Sequence, residues 1–257
     1  LRQETPEMPA SAGMTPERES PAHPGGSLVQ QAVQAVRDHI RDNGLRVGDT
    51  LPGEGHFADL LGVSRAVMRE AFGALAALRL IDVANGRRAR VGAIDGTVIA
   101  ASLDHAVATA QVSIIEIWDV RQTMEVRTAE LAAANRTEEE AALILALAEA
   151  IAEAGGDMPR VIAADIALHE AIARASHNPL FLQIIRSFAP MMTQAVPAAW
   201  RTRTTEGERS DMIDRHRMLA RAIADRDPET ARRMMTRHFD RTIGDMLRAG
   251  RAAPQAR

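Results

Sequence analysis

The run Leu51-Pro52-Gly53-Glu54-Gly55-His56-Phe57-Ala58-Asp59-Leu60-Leu61-Gly62-Val63-Ser64-Arg65-Ala66-Val67-Met68-Arg69-Glu70-Ala71 holds two short apolar-patterned segments on either side of a glycine. Phe57, Ala58, Leu60 and Leu61 mark a helix over 54–61. Gly62 suits a sharp turn, and Ser64 suits the N-cap of a second helix reaching about Leu78. Ala58 leaves room for the two helices to approach, and Val63 and Met68 are placed to face inward. Arg65, Ala66 and Arg69 then project outward from the N-terminal end of the second helix.

The flanks complete a recognisable module. Before the run, Leu28, Val29, Ala32, Val33, Val36 and Ile40 recur at spacings of three and four, which predicts a helix from Ser27 to about Asn43. After it, 80–84 and 89–91 read as short strands joined at Asn85-Gly86, residues that tolerate positive φ. Helix, short helix, glycine turn, helix and hairpin is the layout of a winged helix-turn-helix, whose second helix enters the DNA major groove by its N-terminal end. The expected DNA contacts are Ser64, Arg65, Ala66 and Arg69 on that helix and Arg87 and Arg88 in the wing. A guanidinium fork can read guanine edges or grip phosphates. Arg90 in the wing also suits the backbone.

The run resembles the DNA-binding signature of the GntR family of bacterial transcription regulators, L-P-S-E-R-E-L-A-x-x-L-G-V-S-R-x-x-V-R-E-A. Two positions depart from it. The family arginine that follows the Pro-x-Glu step falls on Gly55, and the glycine near the wing tip falls on Arg88. The first removes an expected DNA contact and the second offers a new one.

The overall charge by itself argues against DNA. The chain has 31 basic and 34 acidic residues and a formal charge of −3, and every basic residue is arginine. Residues 27–94, however, hold nine Arg against seven Asp and Glu, so positive charge is concentrated at the proposed DNA face. Residues 1–26, rich in proline and glycine without apolar periodicity, read as a disordered tail, and 251–257 as a loose one. No apolar run reaches the ~18–20 residues of a membrane span. The absence of cysteine excludes disulfides and thiolate ligands.

From about residue 97 the strand signals stop. Helices are predicted over 97–110, 113–135, 137–154, 158–176, 179–196, 207–225 and 228–248, with Thr137 and Glu140 forming a capping box. Asp165 and His169, four apart, share a helix face, and His216 and His238 lie on later helices. One carboxylate and three imidazoles can bind Zn²⁺, Ni²⁺ or Mn²⁺. The same spacing also suits a surface hydrogen bond and isolated structural histidines.

Asp165-Ile166-Ala167-Leu168-His169, Asn178-Pro179-Leu180, His216 and His238 together resemble the D-x-x-x-H, N-P-L, H, H pattern of the helical effector (FCD) domain in the FadR branch of the family. That resemblance implies a divalent cation held by Asp165, His169, His216 and His238. The segment Trp118-Asp119-Val120-Arg121-Gln122-Thr123-Met124-Glu125 resembles the branch's E-x-R-x-x-x-E helix, with Asp119 in place of the first Glu. It makes Arg121 the candidate partner of an effector carboxylate, with a surface Arg121–Glu125 pair as the alternative. Asn178 is either an effector contact or a helix cap. Arg215 stands before His216 where an acidic residue is more usual.

The expectation is a mainly α chain with a winged helix-turn-helix at 27–94 and an all-helical antiparallel bundle at 97–250. Its expected function is ligand-responsive transcriptional regulation in the cytoplasm, by repression. A homodimer would bind a pseudo-palindromic double-stranded operator and sense a small organic acid. The rival readings are a metal-dependent hydrolytic enzyme and a regulator with a purely structural metal. No catalytic residue is assigned.

Overall fold

The computed structural model describes residues 27–252, with side chains described up to 248. The predicted tail at 1–26 lies outside the described residues. Of the predicted loose end, 253–257 lie outside them, whereas Arg251 and Ala252 continue the last helix.

The chain is mainly α, with eleven helices and one two-stranded sheet among the described residues. By contacts it divides into two units, Leu1–Leu75 with Val83–Val91, and Ala76–Asp82 with Gly92–Arg257.

In the first unit, α1 (Leu28–Asp42) opens on a reciprocal Ser27–Gln30 capping box. Its apolar stripe buries Ala32 and Val36. Helix α2 (Glu54–Leu61) ends at Gly62, whose φ of 63° is the left-handed turn that the sequence requires there. Ser64 opens α3 (Arg65–Ala77), its Oγ accepting a hydrogen bond from the Val67 amide at 3.2 Å. Phe57, Ala58, Met68, Ala71 and Phe72 are buried, and the Phe57 and Phe72 rings meet at 5.9 Å. The strands β1 (Ile81–Asp82) and β2 (Arg90–Val91) are shorter than the sequence predicts. Pairing at β2 is extended by a single antiparallel bridge from Thr50 to Arg90.

The second unit is helical throughout its larger part: α4 (Thr97–Ala108), α5 (Ile114–Asn135), α6 (Glu138–Glu153), α7 (Met158–Ala175), α8 (Pro179–Ser187), α9 (Ala189–Arg201), α10 (Glu206–Ala224) and α11 (Pro228–Ala252). Helix starts follow local chemistry. Ser113 with Glu116, Thr137 with Glu140, and Thr205 with Glu208 each form a capping box, and Asp157 caps α7. The single helix predicted over 179–196 is in fact two, α8 and α9, which meet at Phe188. Pro190 explains the break, because it has no amide hydrogen and its ring clashes with the carbonyl four residues earlier.

Helix α5 lies against α11, α7 and α10. Ala129, Ala132 and Ala133 of α5 and Ala171, Ala173 and Ala175 of α7 are fully or nearly fully buried. Small side chains at these positions let helices pack with little between them. Ile117, Trp118, Leu168, Ile172, Leu219 and Phe239 fill the wider spaces. This packing sets the faces of α5, α7, α10 and α11 around one interior point.

Candidate metal and effector site with a DNA-binding face

Asp165 and His169 lie one turn apart on α7, His216 on α10 and His238 on α11. All four are buried, and the three imidazoles bring one nitrogen each to within 4.8 Å of one another. Asp165 Oδ1 is 3.5 Å from His216 Nε2 and 4.0 Å from His169 Nε2. Two donors bound to one ion at ~2.0–2.2 Å would lie roughly 3–4 Å apart.

Hydrogen bonds select which nitrogen is free in two of the three rings. His216 Nδ1 donates to the Met212 carbonyl at 2.9 Å, which leaves Nε2 as the nitrogen available to a ligand. His169 Nδ1 is hydrogen-bonded to Glu125 Oε2. His169 Nε2, His216 Nε2, both His238 nitrogens and Asp165 Oδ2 are buried with no hydrogen-bond partner. Buried polar atoms without partners are costly, and here five of them cluster. A cavity of ≈20 Å³ lined by Asp165, His216, His238, Arg203, Thr242 and apolar neighbours adjoins this cluster. That is room for one ion or water. The residues present therefore fit a divalent cation.

The electrostatics agree. Burial, followed by the nearby positive charge of His216, His169, Arg203 and Arg121, pushes His238 well below the ordinary imidazole value, so it is neutral and able to ligate. Burial opposes ionisation of Asp165, but the contact with His216 and the charges of His169, His216 and Arg121 outweigh it and hold its carboxyl at about 2. Glu125 behaves alike: burial acts against its charge, yet Arg121 and His169 keep it below the ordinary carboxylate value.

Arg121 does pair with Glu125, at 2.6 Å, but in the interior and not on the surface. Its guanidinium also donates to Met192 Sδ and sits 5.0 Å from the Trp118 ring and 5.5 Å from Phe239. It does not line the cavity. Asn178 is not brought there either. It is exposed, and its Oδ1 accepts from the Leu180 amide at 3.0 Å as the cap of α8.

Sequence reasoning missed two residues. Glu125 was visible only as the end of a motif, and its role in orienting His169 needed the packing of α5 on α7. Arg203 follows α9 in a polar stretch with no distinguishing pattern. It is 5% exposed and lines the cavity, donating to the Ala199 carbonyl at 2.6 Å and to Thr242 Oγ1 at 3.3 Å, while its Nε has no partner. Burial and then the charge of Arg215 lower its pKa.

In the first unit, Arg65, Ala66 and Arg69 are exposed at the start of α3, and Arg87 and Arg88 are exposed in the wing. Gly86 takes a φ of 71° at the wing tip. Arg65 reaches toward Gly55, where a Cβ would stand 3.8 Å from its Nη2. Arg69 lies 3.8 Å from Glu54, an exposed pair of small energetic weight. Arg90, expected at the DNA backbone, is exposed and donates through one Nη to the Gly48 carbonyl at 2.9 Å.

A winged helix-turn-helix module followed by a helical domain with a buried polar centre defines a two-domain class of DNA-binding protein. Two family descriptions match: "Bacterial regulatory proteins, gntR family" over residues 28–91 and "FCD domain" over 116–241. The chain belongs to the GntR family and carries an FCD domain. It is similar to the Glc operon transcriptional activator of Escherichia coli K12, at 28% identity across 84% of this chain and 87% of that one. It is also similar to the HTH-type transcriptional repressor NanR of Salmonella newport, at 26% identity across 83% of each. The structure of a GntR protein from Streptococcus agalactiae shares the fold, with a TM-score of 0.58 and 23% identity over 84% of this chain and 99% of that one. The chain is a DNA-binding transcription regulator and not an enzyme.

Proposed function

We propose that this regulator senses a small organic acid through a divalent cation held by Asp165, His169, His216 and His238. The observation that carries the reading is the group of unpartnered buried donors, because one cation would give a partner to one atom of each of the four residues at once. Bound there, a cation such as Zn²⁺, Ni²⁺ or Mn²⁺ supplies a positive centre with positions open to carboxylate oxygens. Glu125 orients His169, and Arg121 holds Glu125 in place. Arg203, rather than Arg121, is assigned the contact with the effector carboxylate, because Arg203 lines the cavity.

A space of ≈20 Å³ is too small for an organic acid. Ile151 and Trp200 wall this cavity and also a cleft of ≈300 Å³ lined by Gly155, Gly156, Arg209 and Ile213. Trp200 must move for an acid to pass from the cleft to the cation, and this repacking is how binding energy reaches the rest of the protein. The protein acts as a homodimer on a pseudo-palindromic operator, with α3 in the major groove and the wing on the backbone. Its place of action is the cytoplasm, with the DNA. The relatives' names include an activator and a repressor, and effector-driven release from the operator gives repression.

The test is fluorescence polarisation with operator fragments and a carboxylate panel, together with bulk metal analysis. Metal content of one per chain, lost in His169→Ala and His238→Ala, and operator release by one acid support the reading. Full metal content in both variants overturns the ligand set. Chelation that lowers the melting temperature while no acid alters DNA affinity points to a structural cation.

A further inference from the structure

Helix α11 carries two rows of polar residues at four-residue spacing, Glu229, Arg233, Arg237 and Arg241 in one, and Arg232, Thr236 and Asp240 in the other. Opposite them on α10 stand Asp211 and Arg215, one turn apart. Together with Arg248 these residues line an open groove of ≈650 Å³ that shares no lining residue with the histidine cavity. Six arginines face three acids there, a surplus of positive charge within one concave surface. Stacking like charges at i,i+4 disfavours a helix unless an anion lies between them.

The floor of the groove is the informative part. Arg215 is 7% exposed, and its buried Nε has no hydrogen-bond partner. Its guanidinium makes no ion pair among the described residues, although Asp211 lies one turn away. Arg232 and Arg237 likewise have no hydrogen bond or ion pair from their side chains among the described residues. Asp245 occupies Arg241, at 3.4 Å, and Arg248. A buried guanidinium with open donors beside exposed, unpaired ones is an arrangement that a multiply charged oxyanion completes, because each fork can bind two oxygens.

We infer that the groove between α10 and α11 is a second binding site, for a small oxyanion of at least two charges, of the phosphate or polycarboxylate class. Arg215 grips the anion from below, and Arg237 with Arg232 closes on it from α11. The volume lies in the range of small-molecule sites.

The experiment is isothermal titration of the full chain with pyrophosphate and, separately, with tricarballylate, each at two fixed KCl concentrations. Wild type is compared with Arg215→Gln, Arg237→Gln and His238→Ala. Saturable binding of one of the two anions is expected, weakened about tenfold by each arginine substitution, unchanged by His238→Ala, and weakened further by added KCl. The anion that binds identifies the class. Arg237 is exposed, so Arg237→Gln decides the matter if Arg215→Gln does not fold. Three results overturn the proposal: no binding of either anion, binding that both arginine variants retain in full, or binding lost only in His238→Ala. It is also overturned if the arginine variants reduce affinity for a non-operator duplex while anion binding stays unmoved, since the groove would then be a DNA contact.

Discussion

Glu125 Oε2 meets His169 Nδ1 in the interior of the helical domain, and this contact determines which face of the imidazole is available. With Nδ1 occupied, Nε2 turns toward His216, His238 and Asp165. The other oxygen of Glu125 is held by Arg121, so a chain of contacts runs from α5 to the polar centre. An outer partner of this kind fixes the tautomer of a ligating histidine and raises its basicity.

Glu125→Gln should therefore lower cation affinity by roughly 10–100-fold while leaving all four proposed ligands in place. Competition with a chromogenic chelator measures it. Wild-type affinity in the variant would remove the orienting role.

The depressed pKa of His238 has a consequence for stability in metal-free protein. The folded state keeps the ring neutral, whereas the unfolded chain takes up a proton near the ordinary imidazole value of 6.5. Below that value the unfolded state binds more protons, so stability declines as pH falls from 7 toward 5. The slope contributed by this one group approaches ~1.4 kcal/mol per pH unit. Urea titrations of chelator-treated wild type and His238→Gln at several pH values test it. Equal slopes in the two proteins would contradict the assignment.

Phe239 is fully buried, packing on Trp118 at 5.5 Å and beside His238 and His169. Phe239→Ala should cost about 3–5 kcal/mol, since a cavity opens at the point where α5, α7 and α11 meet. It should also loosen the cation site. The unfolding midpoint in denaturant reports the first effect and chelator competition the second.

Arg69→Ala should weaken operator binding with a loss of discrimination of ~1–3 kcal/mol if the side chain reads a base. Arg87→Ala and Arg88→Ala should instead weaken operator and random duplex alike, each reducing the salt slope by about 1. Polarisation titrations at three salt concentrations separate the two behaviours.

Trp200 stands between the inner cavity and the outer cleft. In a Trp118→Phe background it is the only tryptophan, so effector binding should change its emission. An effector that releases DNA without altering that emission would refute the proposed route.

The local pattern was enough for the winged module, because its determinants are local. Gly62 alone can end α2 in the left-handed region, Ser64 caps its neighbour three residues on, and Asn85-Gly86 turns the hairpin. The same holds for most helix starts in the second domain, where cap and carboxylate lie three residues apart. Strand length was less legible, since pairing partners such as Thr50 come from a distant segment. The split at Phe188 was legible in principle through Pro190, but the apolar periodicity running across it concealed the break. For the polar centre, the family motif implied Asp165 and the three histidines, while the roles of their neighbours needed the fold. Only the packing of α5 on α7 and α11 put Arg121 and Glu125 inside, and only the turn after α9 carried Arg203 to the cavity. Burial and convergence are properties of distances between helices. A linear pattern fixes the face on which a residue lies and leaves open what that face meets.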